Sequence, residues 1–190
     1  LMSAQRIIIV GASSGIGKEL AIGFLEKGWK VGLASRNVAS LKDICDKYPN
    51  QSAYEQIDIT SEDAINNVEK LVDKLGGIDI YFHCSGIGSQ NTTIDIKVEE
   101  SICQTNVVGF TRMTDWAYNY FKKSGRKGQI CVISSIAGTK GLGVSPAYSA
   151  TKRYQNIYIE CLEQLSHMQN VDISFTDIRP GFVKTALLND

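Results

Sequence analysis

Apolar residues recur along the chain in two alternating rhythms. Short runs such as Ile7-Ile-Ile-Val10 are apolar at every position, whereas longer stretches place apolar residues three or four positions apart, as at Ile16, Leu20, Ala21, Phe24 and Leu25. The first rhythm suits strands buried on both faces and the second suits amphipathic helices. It predicts strands near 6–10, 30–34, 53–57, 78–83, 129–134 and 172–178, and helices near 15–27, 38–47, 62–75, 98–123 and 148–168. Strand and helix alternate strictly, which with right-handed crossovers gives a parallel sheet covered on both faces, an α/β doubly wound arrangement. No repeat or low-complexity linker interrupts the pattern, and 190 residues suit one domain, 1–190. Ligands in such sheets bind beyond the carboxyl ends of the strands, where strand order reverses, so functional residues are expected just after strands.

The first strand runs straight into Gly11-Ala-Ser-Ser-Gly15-Ile-Gly17 and a helix. Glycines let the backbone approach a pyrophosphate without a Cβ in the way, and the N–H groups and dipole of a helix N-terminus favour its charge. A strand-to-helix turn also needs glycine on steric grounds alone, so the turn by itself leaves both readings open. The Walker-type phosphate loop is excluded, because aligning Ala12 to Lys18 with it puts Glu19 where Ser or Thr must hold magnesium.

Composition narrows the partners. Lys plus Arg and Asp plus Glu number 20 each, and no basic stretch exceeds Lys122-Lys123, which offers nucleic acid or an anionic membrane little to hold. Five scattered cysteines, Cys45, Cys84, Cys103, Cys131 and Cys161, lack any C-x-x-C pair and read as reduced thiols rather than a disulfide or zinc framework. Ile7 to Val10 is too short to cross a bilayer, and no signal-peptide core precedes it. The expectation is a cytoplasmic protein without a metal, with Leu1 ahead of Met2 set aside as a cloning remnant.

Three post-strand positions bear on a ligand. After the second strand come Ser35 and Arg36, where a dinucleotide fold usually presents a carboxylate to the ribose; no acid follows until Asp43. An arginine there can pair with a 2′-phosphate, which points to NADP(H) over NAD(H), or it can simply be a solvated residue at a helix start. After the third strand, Asp58 is either an adenine contact or a loop carboxylate, with Thr60 and Ser61 as ready N-caps. After the fourth, Gly86-Ile-Gly88 is either a second approach to a cofactor or a strand exit. The preceding His83 reads as a hydrogen-bonded core residue and is assigned no role.

The fifth strand leads to Ser134-Ser135, a glycine-rich run from Ile136 to Ala147, and Tyr148-Ser-Ala-Thr-Lys152. A spacing of four puts Tyr148 and Lys152 on one helical face. An ammonium about 4 Å from a phenolate, at an effective dielectric near 20, stabilises it by about 4 kcal/mol, enough to bring a tyrosine of pKa about 10 down by up to roughly three units before desolvation subtracts. Tyr148 is therefore a candidate proton donor near neutral pH. Tyr118 and Lys122 share the spacing but lie deep in a long helix with no strand end before them, and read as a structural contact.

Taken together, the Gly11-x-x-x-Gly15-x-Gly17 turn, Asp58, Asn106 in Asn-Val-Val-Gly109, Ser135 thirteen positions before Tyr148, Tyr148-x-x-x-Lys152, and Arg179-Pro180-Gly181 running to Thr185 resemble the short-chain dehydrogenase/reductase family of the compact type. The resemblance implies a Rossmann-type sheet of strand order 3-2-1-4-5-6 and hydride transfer between NADP(H) and a carbonyl or secondary alcohol. It implies a tetrad in which Ser135 orients the substrate carbonyl, Tyr148 exchanges the proton, Lys152 lowers the Tyr148 pKa and holds the nicotinamide ribose, and Asn106 positions a water next to Lys152. The implied cofactor contacts are Gly11, Ser13, Ser14, Gly15, Ile16, Gly17, Ser35, Arg36, Asp58, Ile59, Gly86, Asn106, Tyr148, Lys152, Pro180, Gly181, Val183 and Thr185. A homodimer or homotetramer is implied through the helices at 98–123 and 148–168, whose Trp116, Phe121, Ile157 and Leu162 offer apolar surface.

Two features depart from the family pattern. His83-Cys84-Ser85-Gly86 stands where the family usually has Asn-Asn-Ala-Gly, which removes side-chain amides that brace the sheet. The chain also stops at Asp190, just after the nicotinamide loop, so a substrate-covering segment, a seventh strand and a last helix are expected to be truncated. The run from Ile136 to Ala147 carries only Lys140 as a charge, which favours an uncharged, partly apolar substrate. A binding-only NADP(H) sensor or scaffold has no need of the Tyr148–Lys152 pair, and the glycine spacing and length disfavour an extended-type epimerase or dehydratase.

Overall fold

The computed structural model describes residues 5–181. All six strands expected from the apolar runs are present: β1 (Arg6–Val10), β2 (Lys30–Ser35), β3 (Ser52–Gln56), β4 (Ile80–His83), β5 (Gly128–Ile133) and β6 (Ile173–Ile178). They pair in parallel as one sheet of order β3-β2-β1-β4-β5-β6, the order that the resemblance implied. The helices between them are α1 (Gly15–Glu26), α2 (Val38–Lys47), α3 (Ala64–Leu75), α4 (Ile96–Cys103), α5 (Phe110–Ser124) and α6 (Pro146–Met168).

The unbroken apolar run of β1 follows from helices on both faces. Ile7 and Ile9 join Ala21 and Leu25 of α1 and Leu41 and Ile44 of α2, while Ile8 and Val10 join Val68 and Leu71 of α3, Phe110 and Phe121 of α5, and Ile159 of α6. Each of the four is essentially water-free, and burying such a side chain is worth roughly 1.5–3 kcal/mol, so this strand anchors both layers. Because β1 sits centrally, between β2 and β4, the two halves of the sheet diverge at its carboxyl end. The Cys84 N–H donates to the Val10 carbonyl there at 2.8 Å.

Two expectations are corrected. The single helix near 98–123 is α4 and α5 joined by a π-helical turn, Gln104–Gly109. The apolar surface attributed to the long helices is mostly spent inside: Trp116, Phe121 and Leu162 are buried against the sheet, and of the four residues only Ile157 is exposed. The face of a long amphipathic helix that meets the core takes its large side chains first, because that is where burial removes most apolar area from water. Among the described residues no helix is long and apolar enough to cross a membrane.

Candidate active site

The glycine turn is a close approach of backbone to backbone. Gly11 has φ +92, and a Cβ there would stand 2.6 Å from the Ser85 nitrogen; a Cβ on Gly17 would stand 2.0 Å from the Gly11 carbonyl oxygen. The turn is tied down by Gly11 N–H to Ala34 O at 2.8 Å and by the Ser40 hydroxyl donating to Ser13 O at 2.8 Å. Ser14 occupies the N-cap of α1 with extended backbone, and its side chain makes no capping bond, so the first-turn N–H groups, including those near Gly15 and Ile16, point out of the helix end.

On the far side of the turn, Arg36 is exposed at the end of β2, where its carbonyl accepts from Gln56 Nε2 at 3.0 Å. Ser35 is buried, and its hydroxyl is spent on the Asn37 carbonyl at 2.8 Å, so Arg36 rather than Ser35 offers the free polar group. Asp58 accepts from the Thr60 hydroxyl at 2.7 Å and the Thr60 N–H at 3.0 Å. The Thr60 bonds, helped by Arg36 and Arg112, hold its carboxyl below the usual range, so it is an anion with one oxygen uncommitted. The Ile59 side chain is buried, and its carbonyl accepts from Arg112 Nη1 at 2.6 Å.

Tyr148 and Lys152 stand on the first turns of α6, which opens with Pro146 at the position where a missing N–H costs nothing. The Lys152 ammonium lies 5.6 Å from the centre of the half-buried Tyr148 ring. Burial pushes the Lys152 amine down to about 8, with Asp177 and Cys84 opposing the shift. Gly88 admits the tyrosine: a Cβ there would meet Tyr148 Cδ2 at 2.5 Å. Gly86 lies beside the lysine, since a Cβ on it would be 3.3 Å from both Lys152 Nζ and Asn106 Oδ1. The segment Cys84–Gly88 thus touches the glycine turn at one end and the Tyr148–Lys152 pair at the other.

Asn106, fully buried in the π-helical turn, is held by its side chain. Its Oδ1 accepts from the Ile87 N–H at 2.9 Å, and its Nδ2 donates to Ile87 O at 2.7 Å and to Thr151 Oγ1 at 3.1 Å. Its backbone carbonyl accepts from Gln155 Nε2 at 3.0 Å, and the Lys152 ammonium donates to Gln155 Oε1 at 3.2 Å. The Gln155 side chain therefore links the Asn106 carbonyl to the Lys152 ammonium.

The two serines after β5 divide their labour. Ser134 donates to Asp177 Oδ1 at 2.5 Å and accepts from Asn156 Nδ2 at 2.8 Å, bracing β5 and β6 against α6. Ser135 accepts from the Ala137 N–H at 3.0 Å across a short 3-10 turn, Ile136–Gly138, which leaves its hydroxyl proton available as a donor. The Pro180 carbonyl accepts from the Ile136 N–H at 3.1 Å, and Gly181 packs near Ile136, so the strand exit after β6 borders the same turn. Val183 and Thr185 lie outside the described residues.

Residues without an assigned catalytic part keep structural ones. His83 is fully buried with Nδ1 bonded to the Tyr81 hydroxyl at 2.8 Å, and desolvation together with the nearby Lys152 charge lowers it to about 3, so it is a neutral core residue. Burial pushes the Cys84 thiol up to about 12, which keeps it unreactive. The Tyr118 hydroxyl donates to Gln169 Oε1 at 2.9 Å, so its role is structural but through Gln169.

Sequence reasoning missed Gln155, Thr151, Asn156, Ser149 and Glu99. The available signal was Ser149, Thr151, Lys152, Gln155 and Asn156, polar residues that continue the line of Ile159 and Leu162 on α6 and are buried with them.

A sequence profile of the short chain dehydrogenase family matches residues 5–190. Dehydrogenase/reductase SDR family member 7B of Xenopus laevis is 30% identical over 98% of this chain and 60% of its own, so the chain spans about three-fifths of that relative's length. An uncharacterized oxidoreductase of Staphylococcus haemolyticus is 31% identical over 98% of this chain and 81% of its own. Among solved structures, ElxO with NADP bound superposes with a TM-score of 0.86 at 26% identity, over 98% of this chain and 77% of that one. With its parallel sheet, its glycine turn and its tyrosine–lysine pair at one end of that sheet, the chain belongs to the short chain dehydrogenase family.

Proposed function

We propose that the chain is an oxidoreductase moving a hydride between NADP(H) and the carbonyl or secondary alcohol carbon of a small, uncharged substrate. The observation that carries this reading is the buried Lys152 ammonium 5.6 Å from the Tyr148 ring, joined to the glycine turn through Cys84–Gly88. The residues fit a dinucleotide: Gly11 and Gly17 have no room for a Cβ, which keeps the turn tight against the α1 N-terminus, that N-terminus suits a pyrophosphate, and the exposed Arg36 suits a 2′-phosphate. The NADP bound to ElxO supports the same choice.

When bound, the nicotinamide supplies or takes the hydride. Tyr148 exchanges a proton with the substrate oxygen, with the Lys152 ammonium beside its ring. Ser135 donates its free hydroxyl proton to that oxygen and orients it. Asn106 and Lys152 hold their places through the bonds to Ile87, Thr151 and Gln155. No step asks for a metal. Exposed Ile136, Leu142 and Val144, in the stretch between Ser135 and Tyr148, support an uncharged, partly apolar substrate. Assembly as a homo-oligomer through α5 and α6 would draw on Ile157 rather than on the buried Trp116, Phe121 and Leu162, and light scattering reports it.

The test is a panel of aldehydes, ketones and secondary alcohols with NADPH or NADP⁺. Turnover that Tyr148→Phe abolishes without loss of NADPH binding supports the reading; NADPH binding with no turnover across the panel leaves a nucleotide sensor. Fluorescence titration should favour NADPH over NADH, and Arg36→Ala should weaken NADPH about ten- to a hundredfold, the worth of one or two charge-assisted bonds, while sparing NADH. Equal affinity for both in the unaltered protein overturns the Arg36 assignment.

A further inference from the structure

Gln155 is fully buried, and both ends of its amide are used: Oε1 accepts from Lys152 Nζ at 3.2 Å and Nε2 donates to the Asn106 carbonyl at 3.0 Å. A buried primary amide costs free energy unless its polar atoms are paired, so the two bonds offset what it costs to place a glutamine on the inner face of α6. The carbonyl it meets lies in the π-helical turn, where backbone bonds spaced at i→i+5 take a carbonyl out of the ordinary ladder. Asn106 is itself clamped to the Ile87 backbone in both directions and to Thr151. A continuous frame therefore runs from Ile87 through Asn106 and Gln155 to the lysine.

The other groups around Lys152 do not take this place. Asp177 on β6 is occupied by Ser134, Asn156 and Arg179. Cys84 and His83, at the end of β4, are an unreactive thiol and a neutral imidazole, and Tyr148 presents its ring. Among the described residues, Gln155 Oε1 is the hydrogen-bond acceptor of the Lys152 ammonium.

We propose that Gln155 is a positioning residue, whose side-chain amide hangs from the Asn106 carbonyl and holds the Lys152 ammonium at its working position beside Tyr148. The importance of that position rests on the function proposed above. An amide has its donors on nitrogen and its acceptor on oxygen and cannot exchange them, so this bridge holds the ammonium without relaying protons, which a water in the same link would do.

The test uses the full chain with ¹³C-labelled lysine, following the Lys152 Cε signal, identified by its loss in Lys152→Met, against pH, together with thermal unfolding and NADPH titration. Gln155→Leu removes the acceptor and should move the Lys152 midpoint down from about 8 by about one unit. At a pH above both midpoints NADPH binding should weaken by up to about tenfold with it, because the charged fraction of the amine falls by one decade there. Gln155→Glu keeps an oxygen toward Lys152, adds a charge and loses the donor to Asn106, and should move the midpoint above the wild-type value. A Lys152 midpoint that stays at the wild-type value in either folded variant overturns the proposal. If Gln155→Leu does not fold, Gln155→Glu decides alone, because an unchanged midpoint beside a new carboxylate means that residue 155 does not meet the amine. The titration needs neither cofactor nor substrate, so a wild-type protein that fails to bind NADPH defeats the proposed function and leaves the Gln155 result standing.

Discussion

The Glu99 carboxylate closes the first turn of α6 from a distant helix: Oε2 accepts the Ala147 N–H at 2.9 Å across 48 residues of chain, while Oε1 accepts Asn91 Nδ2 at 2.9 Å. Ser145, the N-cap of α6, makes no side-chain bond of its own, so an acid on α4 does the capping, one residue before Tyr148. Replacing Glu99 by Ala should cost about 1–2 kcal/mol, the worth of a cap plus a favourable charge at a helix N-terminus, read by urea unfolding. Turnover should fall beyond what the unfolded fraction explains, and Glu99→Gln should recover part of both. Unchanged unfolding in Glu99→Ala would show that the bond contributes nothing.

Gly88 carries the clearest steric prediction. A methyl group 2.5 Å from Tyr148 Cδ2 must displace the ring, because the glycine lies on backbone held by Asn106 through Ile87. Gly88→Ala should lower kcat about a hundredfold, the scale for a catalytic group moved by about 1 Å, with NADPH affinity little changed. A rate near that of the parent would mean that the loop yields instead.

Tyr118 separates the two tyrosine–lysine spacings. Tyr118→Phe removes a single hydrogen bond to Gln169 and should cost about 1 kcal/mol of stability with no loss of rate. Loss of turnover in that variant would move the chemistry from Tyr148 and Lys152 to Tyr118 and Lys122.

His83 makes the fold acid-sensitive. It titrates near 3 when folded, against an ordinary value of 6.5, so between those pH values the unfolded chain binds a proton that the native state refuses. Stability is therefore undiminished above 6.5, falls as pH drops through that value, and goes on falling toward 3, by a few kcal/mol in all on the order-of-magnitude linkage argument. His83→Asn should flatten the dependence of unfolding free energy on pH between about 6.5 and 4, measured by urea melts at each pH. An equally steep dependence in the variant would place the acid sensitivity elsewhere.

The sheet and the glycine turn were legible because buried parallel strands leave an unmistakable trace, as in Ile7 to Val10, and because a tight strand-to-helix turn needs glycine. Tyr148 and Lys152 were legible by spacing and by their place after β5. The π-helical turn was not, since one extra residue within a long amphipathic stretch scarcely disturbs its apolar period. Nor does that period show which apolar residues remain outside, so Trp116, Phe121 and Leu162 offer apolar surface on the sequence alone and prove buried in the fold. Gln155 was hidden because a glutamine on a helix reads as solvent-facing, and its partner Asn106 lies 49 residues earlier. Gly88 stands out in the sequence as a glycine, but its contact with the Tyr148 ring exists only once the loop after β4 meets the start of α6.

The turn at Gln104–Gly109 is, in geometric terms, a helix carrying one surplus residue. Deleting that residue would let α4 and α5 run on as a single regular rod with their inward faces still in phase, so the hydrophobic layer would survive. What would vanish is the stray carbonyl on which Gln155 hangs. The hold on the Lys152 ammonium proposed above therefore depends on a single residue's worth of backbone that the hydrophobic layer itself does not need.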